Sequence, residues 1–358
     1  TMITGSPAWH RAAVLCFAAC VLAVAAGCTP RDPGGALASG STTITPDTIG
    51  YLEATHPAFH TLIPSYATIE VLADGFTWAE GPVWIPSNDY LLFSDVPENV
   101  IYRWDAGQGL SRWLTPSGDT GYATGGREGS NGLLLDGDGN LILCQHGDRR
   151  IARLDAPLDS PEPTFVTVAD RLGDHRFNSP NDAAYRADGS LYFTDPPYGL
   201  RDSSFSEIGY QGVYRLTPGG DIELLTSELS RPNGIAFSPD EKRLYVANSD
   251  AARAVWMVYD VTDSGALANG RVFFDATGWV GSRQGLPDGL KVDVNGNLFA
   301  TGPGGVLVLS RDGEHLGTIR LPVSAANCAF GDDGRSLYIT ADMYLLRIRM
   351  TTRGRVRG

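Results

Sequence analysis

Between about Thr68 and Met350 the sequence runs through one pattern six times. A polar residue opens a short apolar run, a turn rich in Gly, Asp and Asn follows, and a leucine opens a second run. The copies begin EGPVWI at Glu80, NGLLLD at Asn131, NDAAYR at Asn181, NGIAFS at Asn233, DGLKVD at Asp288 and NCAFGD at Asn327. The leucines, Leu91, Leu141, Leu191, Leu244, Leu298 and Leu337, always stand ten or eleven positions later. The turns between the runs (SND, DGDG, ADG, SPDE, DVNG, GDDG) have the chemistry of β-hairpins. A third run follows in every copy and a fourth in five of them, at Leu110–Leu114, Phe165–Ala169, Ile222–Thr226, Arg271–Phe274 and His315–Leu321.

Four short strands at a spacing of 39 to 55 residues, six times over, predict an all-β chain folded as a six-bladed β-propeller of four-stranded blades. The sixth copy ends without a fourth strand. A matching strand stands at the other end of the repeat, Thr68–Ala73, and it is expected to complete the last blade and close the ring. Gly (43 residues) and Pro (22) suit many tight turns rather than long helices. The net charge of −13 carries no basic stripe, which argues against a nucleic-acid partner.

The residues before the repeat read as targeting. Thr1–Pro7 resembles the start of a β-galactosidase fusion vector, and Ala12–Ala26 is an apolar run of 15 residues behind Arg11, the length of a signal-peptide core. Val24-Ala25-Ala26-Gly27-Cys28 resembles a bacterial lipobox. Residues 1–27 are therefore expected to be leader, Cys28 to carry lipid, 28–50 to form a flexible tether and 51–358 to form the propeller. The expected location is the bacterial cell envelope or periplasm, with the membrane met only through the lipid anchor. Cys144 and Cys328 fall in different copies and read as free core thiols.

In a propeller the first strand of each blade lines the central channel. Glu80, Asn131, Asn181, Asn233, Asp288 and Asn327 then form a ring of two carboxylates and four amides. Turn-forming Asn and Asp explain one or two such positions, but not Glu80 or an unbroken polar ring. Oxygen ligands without His or Cys suit a hard cation: Ca²⁺ is expected, with Mg²⁺, Mn²⁺ and Zn²⁺ as alternatives. An antiparallel meander brings the ends of the second strands to the same mouth: Asp95, His146, Asp195 with Tyr198, Asn248 with Ser249, and Asp342. His146 is a candidate proton carrier, and Asn131, Asn327 and Tyr198 are candidate substrate contacts. Gly125–Gly129 is glycine-rich but lacks the Lys-Ser/Thr of a phosphate loop, and reads as the loop entering blade two.

The segments WAEGPVW (Trp78–Trp84), LLFSDV (Leu91–Val96), NSPNDAAY (Asn178–Tyr185), LYFTDPPYG (Leu191–Gly199), RPNGIAFSPD (Arg231–Asp240) and PDGLKVD (Pro287–Asp293) resemble the regucalcin/gluconolactonase/luciferin-regenerating-enzyme family of six-bladed propellers. The resemblance implies that Glu80, Asn181, Asn233 and Asp288 bind the metal. It also implies that the substrate is a lactone, with Asp288 as general base or as nucleophile. An arginine that sugar-binding animal relatives place two residues before the third ring position is Ser179 here. Action on esters or phosphotriesters at the same metal, or a non-catalytic binding propeller with a structural Ca²⁺, are the alternative readings.

Overall fold

The computed structural model describes residues 47–355; the expected leader, the lipid site at Cys28 and most of the tether lie outside the described residues. Six antiparallel sheets follow one another along the chain. Their innermost strands are Ala79–Ile85, Ser130–Leu135, Ala183–Tyr185, Pro232–Phe237, Leu290–Val292 and Asn327–Gly331. Each of these abuts the next, and the last returns to the first, so the six sheets close into a β-propeller.

The closing strand is the expected one. Ile69–Asp74 pairs antiparallel with Tyr344–Arg349 and supplies the outer strand of blade six. Ile69 is buried, and Glu70 takes a two-pronged contact from Arg347, at 2.7 Å from Nε and 2.6 Å from Nη2. Two features go beyond the repeat. Tyr51–Ala54 adds a fifth strand to blade five by pairing with His315–Arg320. Residues 47–49 also hydrogen-bond to Ile69 and Val71, so the structured chain begins ahead of residue 51.

Packing follows from the strand period. Successive side chains face opposite sides of a sheet, and every sheet here is covered on both faces by its neighbours. Leu91 and Phe93 pack towards blade six beside Tyr338 and Leu345, whereas Leu92 packs towards blade two beside Leu133 and Leu143. The same alternation yields six apolar clusters, one in each gap between adjacent blades. This is why the second strand of each copy reads as a continuous apolar run rather than an alternating one. Cys144 and Cys328 are free thiols inside two of these clusters.

Closure generates a quantitative expectation. Ile69→Ala should lower the unfolding free energy by about 2–4 kcal/mol, because it leaves a cavity in the strand that joins the chain ends. Leu110→Ala, on the exposed outer strand of blade one, should cost less than about 1 kcal/mol in the same urea titration. Equal losses would mean that the outer strand of blade six is no more important than any other edge.

Candidate active site

The ring residues are aimed by irregularities in the inner strands. Register against the second strand shifts between Glu80 and Val83, between Ser130 and Leu133, and between Pro232 and Ile235. An extra residue in one strand bends it and redirects a side chain, which here turns the ring position towards the channel. In blades three and five the regular inner strand begins two residues after Asn181 and Asp288, whose backbones still donate to Thr194 and Thr301.

The residue after the ring position decides how closely neighbouring blades approach. A side chain on Gly81 would start 2.0 Å from the Asn131 carbonyl oxygen, and one on Gly234 would start 2.3 Å from that of Asp288. Hydroxyls on second strands close the same seams: Ser94 donates to the Asn131 carbonyl and Thr194 to that of Asn233. At these seams glycine after the ring position is a requirement of inter-blade contact, and not only of turn geometry.

Three residues expected at the mouth turn out to hold the approach to the ring. The Asp95 carboxylate accepts from the backbone N–H groups of Thr77 and Trp78, just ahead of Glu80. Asp195 accepts from Asn178 and Ser179 ahead of Asn181, and the Asn248 amide oxygen accepts from Arg231 ahead of Asn233. Burial pushes the Asp195 carboxyl up to about 7, against those two backbone donors. Ser179 is also consumed internally, donating to the Pro196 carbonyl and accepting from Gly199.

A cavity of about 670 Å³ lies over the ring, within the range of small-molecule sites. Glu80, Asn131, Asn181, Asn233 and Asp288 line it, together with His146, Tyr198 and Ser249 from the second-strand ends. Asn327, also expected to bind substrate, is not among the lining residues. Its amide oxygen accepts from the Cys328 N–H and lies 3.5 Å from the Lys291 Nζ, so it is engaged within the channel wall. Asp342 does not line the cavity either; its carbonyl accepts from Ala79.

One channel carboxylate lies outside the ring positions that the repeat marks. Where Glu80, Asn131, Asn233 and Asp288 are each followed by glycine, Asn181 is followed by Asp182, which is buried and reaches the space beside Gly132. The signal was present in the aligned copies as the one charged residue in that column. Glu128, Trp78 and Arg283 complete the wall from loops that belong to no repeat unit. Arg283 is the one arginine or lysine among the described residues on the wall; its guanidinium lies 4.3 Å over the Trp279 ring and Nη1 is 3.8 Å from Glu53, on the added strand.

Electrostatically the site is an acidic group of carboxylates held out of water. Burial pushes Glu80 upward, and the charge of Asp182 adds to this. Asp288 is driven up by burial and then by the charges of Glu80 and Asp182. Asp182 is raised by burial, offset first by the Lys291 ammonium. Tyr198 is pushed to about 12, chiefly by burial, with the charge of Asp288 in the same direction. Oδ1 of Asp288, Oδ2 of Asp182 and Oδ1 of Asn131 are buried without a hydrogen-bond partner. Unpartnered carboxylate and amide oxygens that repel one another fit a hard divalent cation. No three His, Cys, Asp or Glu residues among the described residues are grouped as a metal site, so amide oxygens would have to share the coordination.

These shifts fix a sign. A carboxylate whose value is raised on folding binds its proton more tightly in the folded chain, so its contribution to stability falls as pH rises from the unfolded value of about 4 through the raised folded one. With cations removed by a chelator, the melting temperature is expected to be higher at about pH 5.5 than at about pH 8. Added Ca²⁺ is expected to restore more at the higher pH. Thermal scans of the full chain at the two pH values check this, and a chelated protein that is more stable at pH 8 would contradict it.

The same chain can now be set beside known proteins. A gluconolactonase of Zymomonas mobilis is 38% identical over 358 aligned residues, covering 95% of this chain and 97% of its own. A pentonolactonase of Haloferax volcanii is 28% identical over 73% of this chain and 80% of its own. The solved structure of a gluconolactonase from Xanthomonas campestris superposes with a TM-score of 0.74 at 31% identity, over 86% of this chain and 98% of that one. The model of the SMP-30/Gluconolactonase/LRE-like region matches residues 78–342. The ring, the cavity above it and the segments that form both fall inside that match: this chain belongs to the SMP-30/gluconolactonase/LRE-like family.

Proposed function

We propose that this protein hydrolyses lactones in the cavity above the ring, with a divalent cation, Ca²⁺ by preference, held by Glu80, Asn181, Asn233 and Asp288. One observation carries the reading: all four side chains line a single small-molecule cavity, so anything they hold borders the space open to a substrate. That arrangement disfavours a purely structural cation and a non-catalytic platform. The gluconolactonase and pentonolactonase among the relatives support a sugar-type lactone as the substrate class.

When bound, the cation would polarise the lactone carbonyl and stabilise negative charge on its oxygen. The remaining tasks fall to the chain. Asp288 keeps Oδ1 without a protein partner and acts as general base, taking the proton of the attacking water. Asn131 presents an unpartnered amide oxygen to substrate hydroxyls. Tyr198, kept in its phenol form, donates from the third blade. Ser179 offers the substrate nothing, which separates this site from that of the sugar-binding animal relatives. Arg283 is the wall residue placed to meet an anionic substituent. For location, we propose export through residues 12–26 with lipid attached at Cys28, on the strength of that sequence pattern alone.

A panel of aldonolactones, aryl esters and phosphotriesters, assayed on the full chain with Ca²⁺ and after chelation, tests the reading. Lactones are expected to be the best substrates, with activity lost on chelation and restored by the cation. Asp288→Asn and Glu80→Gln should each lower kcat/KM by about 10³-fold or more while the melting transition persists. Lactone opening at full rate in the chelated protein, or by Asp288→Asn, would overturn it.

A further inference from the structure

We propose that Glu128 is a positioning residue for His146, and that the pair delivers the proton to the ring oxygen that leaves when a lactone opens. The inference rests on the lactone reading above and adds to it a second proton-transfer group and its support.

His146 is 1% exposed and lines the cavity, yet neither ring nitrogen has a hydrogen-bond partner among the described residues. A buried polar group left without a partner costs stability, so its retention in a cavity wall points to use by a ligand. The nearest opposite charge is the Glu128 carboxylate, with Oε2 3.9 Å from Nδ1. At that distance the carboxylate interacts electrostatically with a protonated ring. Glu80, Asp288 and Arg283 also line the cavity, but none is within ion-pair distance of His146. Arg127 meets the other Glu128 oxygen at 3.4 Å, and Arg149, adjacent through its backbone, turns its guanidinium to Phe177 and Glu207.

The pair is built into the backbone. The Gly129 carbonyl accepts from the His146 N–H and the Glu128 carbonyl from the Gly147 N–H, which extends the inner strand pair of blade two past Ser130 and Gln145. Glu128 has φ +73°, a left-handed conformation that is unfavourable for a residue with a side chain. On the other side, the absence of a side chain at Gly199 makes room for the imidazole, since a Cβ there would lie 2.4 Å from the His146 Cβ. The loop that reads as a plain glycine-rich connection is therefore a fixed mount for one carboxylate.

Ring symmetry supplies the chemical role. Blades two and five face each other across six, so His146 and Asp288 approach a bound lactone from opposite sides. Water adds to the carbonyl carbon while its proton passes to Asp288. The bond from that carbon to the ring oxygen then breaks, its electron pair goes to the ring oxygen, and protonated His146 gives that oxygen its proton. The product is the open hydroxy acid, and the proton on Asp288 returns to His146 through solvent.

A leaving-group comparison on the Ca²⁺-loaded full chain tests this. δ-Valerolactone expels an alkoxide and needs the acid; dihydrocoumarin expels a phenolate and needs it far less. His146→Gln is expected to slow δ-valerolactone by about 10²-fold and Glu128→Gln by about tenfold, with each slowing dihydrocoumarin by less than about threefold. The double variant should match His146→Gln alone, since the two residues act as a unit. Equal losses on both lactones, or losses that multiply in the double variant, would overturn the proposal and leave the lactone reading standing. A wild-type protein that opens neither of these nor an aldonolactone would overturn both.

Discussion

Everything in this molecule depends on how closely six inner strands pack around one axis. Propeller blades diverge outward, so the tightest contact lies at the channel, where the residue after a ring position meets the next blade. At Gly81 and Gly234 that contact leaves no room for a side chain. Hydroxyls of Ser94 and Thr194 then bond the seams across blades. Close packing at the axis forces the ring residues into a narrow bore, and the bore concentrates their oxygens. The acidic site is in this sense a consequence of closure.

A ring of this kind carries an electrostatic cost that the chain does not relieve by itself. Glu80, Asp182 and Asp288 are held together away from water; the Lys291 ammonium offsets Asp182, and hydrogen bonds from Gly81 and Asn233 offset Glu80 and Asp288 only in part. The ring acids draw only part of their hydrogen bonds from the backbone, Glu80 from Gly81 and Asp182 from Ala183, whereas Asp95 and Asp195 each accept two N–H groups of the approaching loops. The division is chemically sensible. Acids saturated by backbone N–H groups hold geometry, and acids left with open oxygens remain available to a cation and to water.

The repeat made the fold and most of the ring legible, because a period of two within strands and a fixed offset from ring position to leucine are local properties. It also led to the closing strand, whose pairing partner lies at the far end of the propeller. What it did not convey were contacts between copies. The clamp role of Asp95 and Asp195 depends on which backbone lies opposite, and Asn327 is engaged by its own neighbours Cys328 and Lys291 and by the ring carboxylates Glu80 and Asp182. Tyr51–Ala54 has no counterpart among the copies, so no template marked it as a strand. Glu128 stands in a stretch that reads as a plain glycine-rich loop, and only the strand register around Gly129 and His146 reveals its aim.

The central claim is that the mixed ring of acids and amides is a cation site opening on a substrate cavity. A crystal structure of the full chain grown with Ca²⁺, and a second after chelation, tests it most directly. The account predicts one strong density peak in the first, with oxygens of Glu80, Asn181, Asn233 and Asp288 at about 2.3–2.6 Å and at least one water on the cavity side, lost in the second. Saturating Ca²⁺ that leaves the ring empty, or a cation enclosed by protein oxygens with no face towards the cavity, would contradict it.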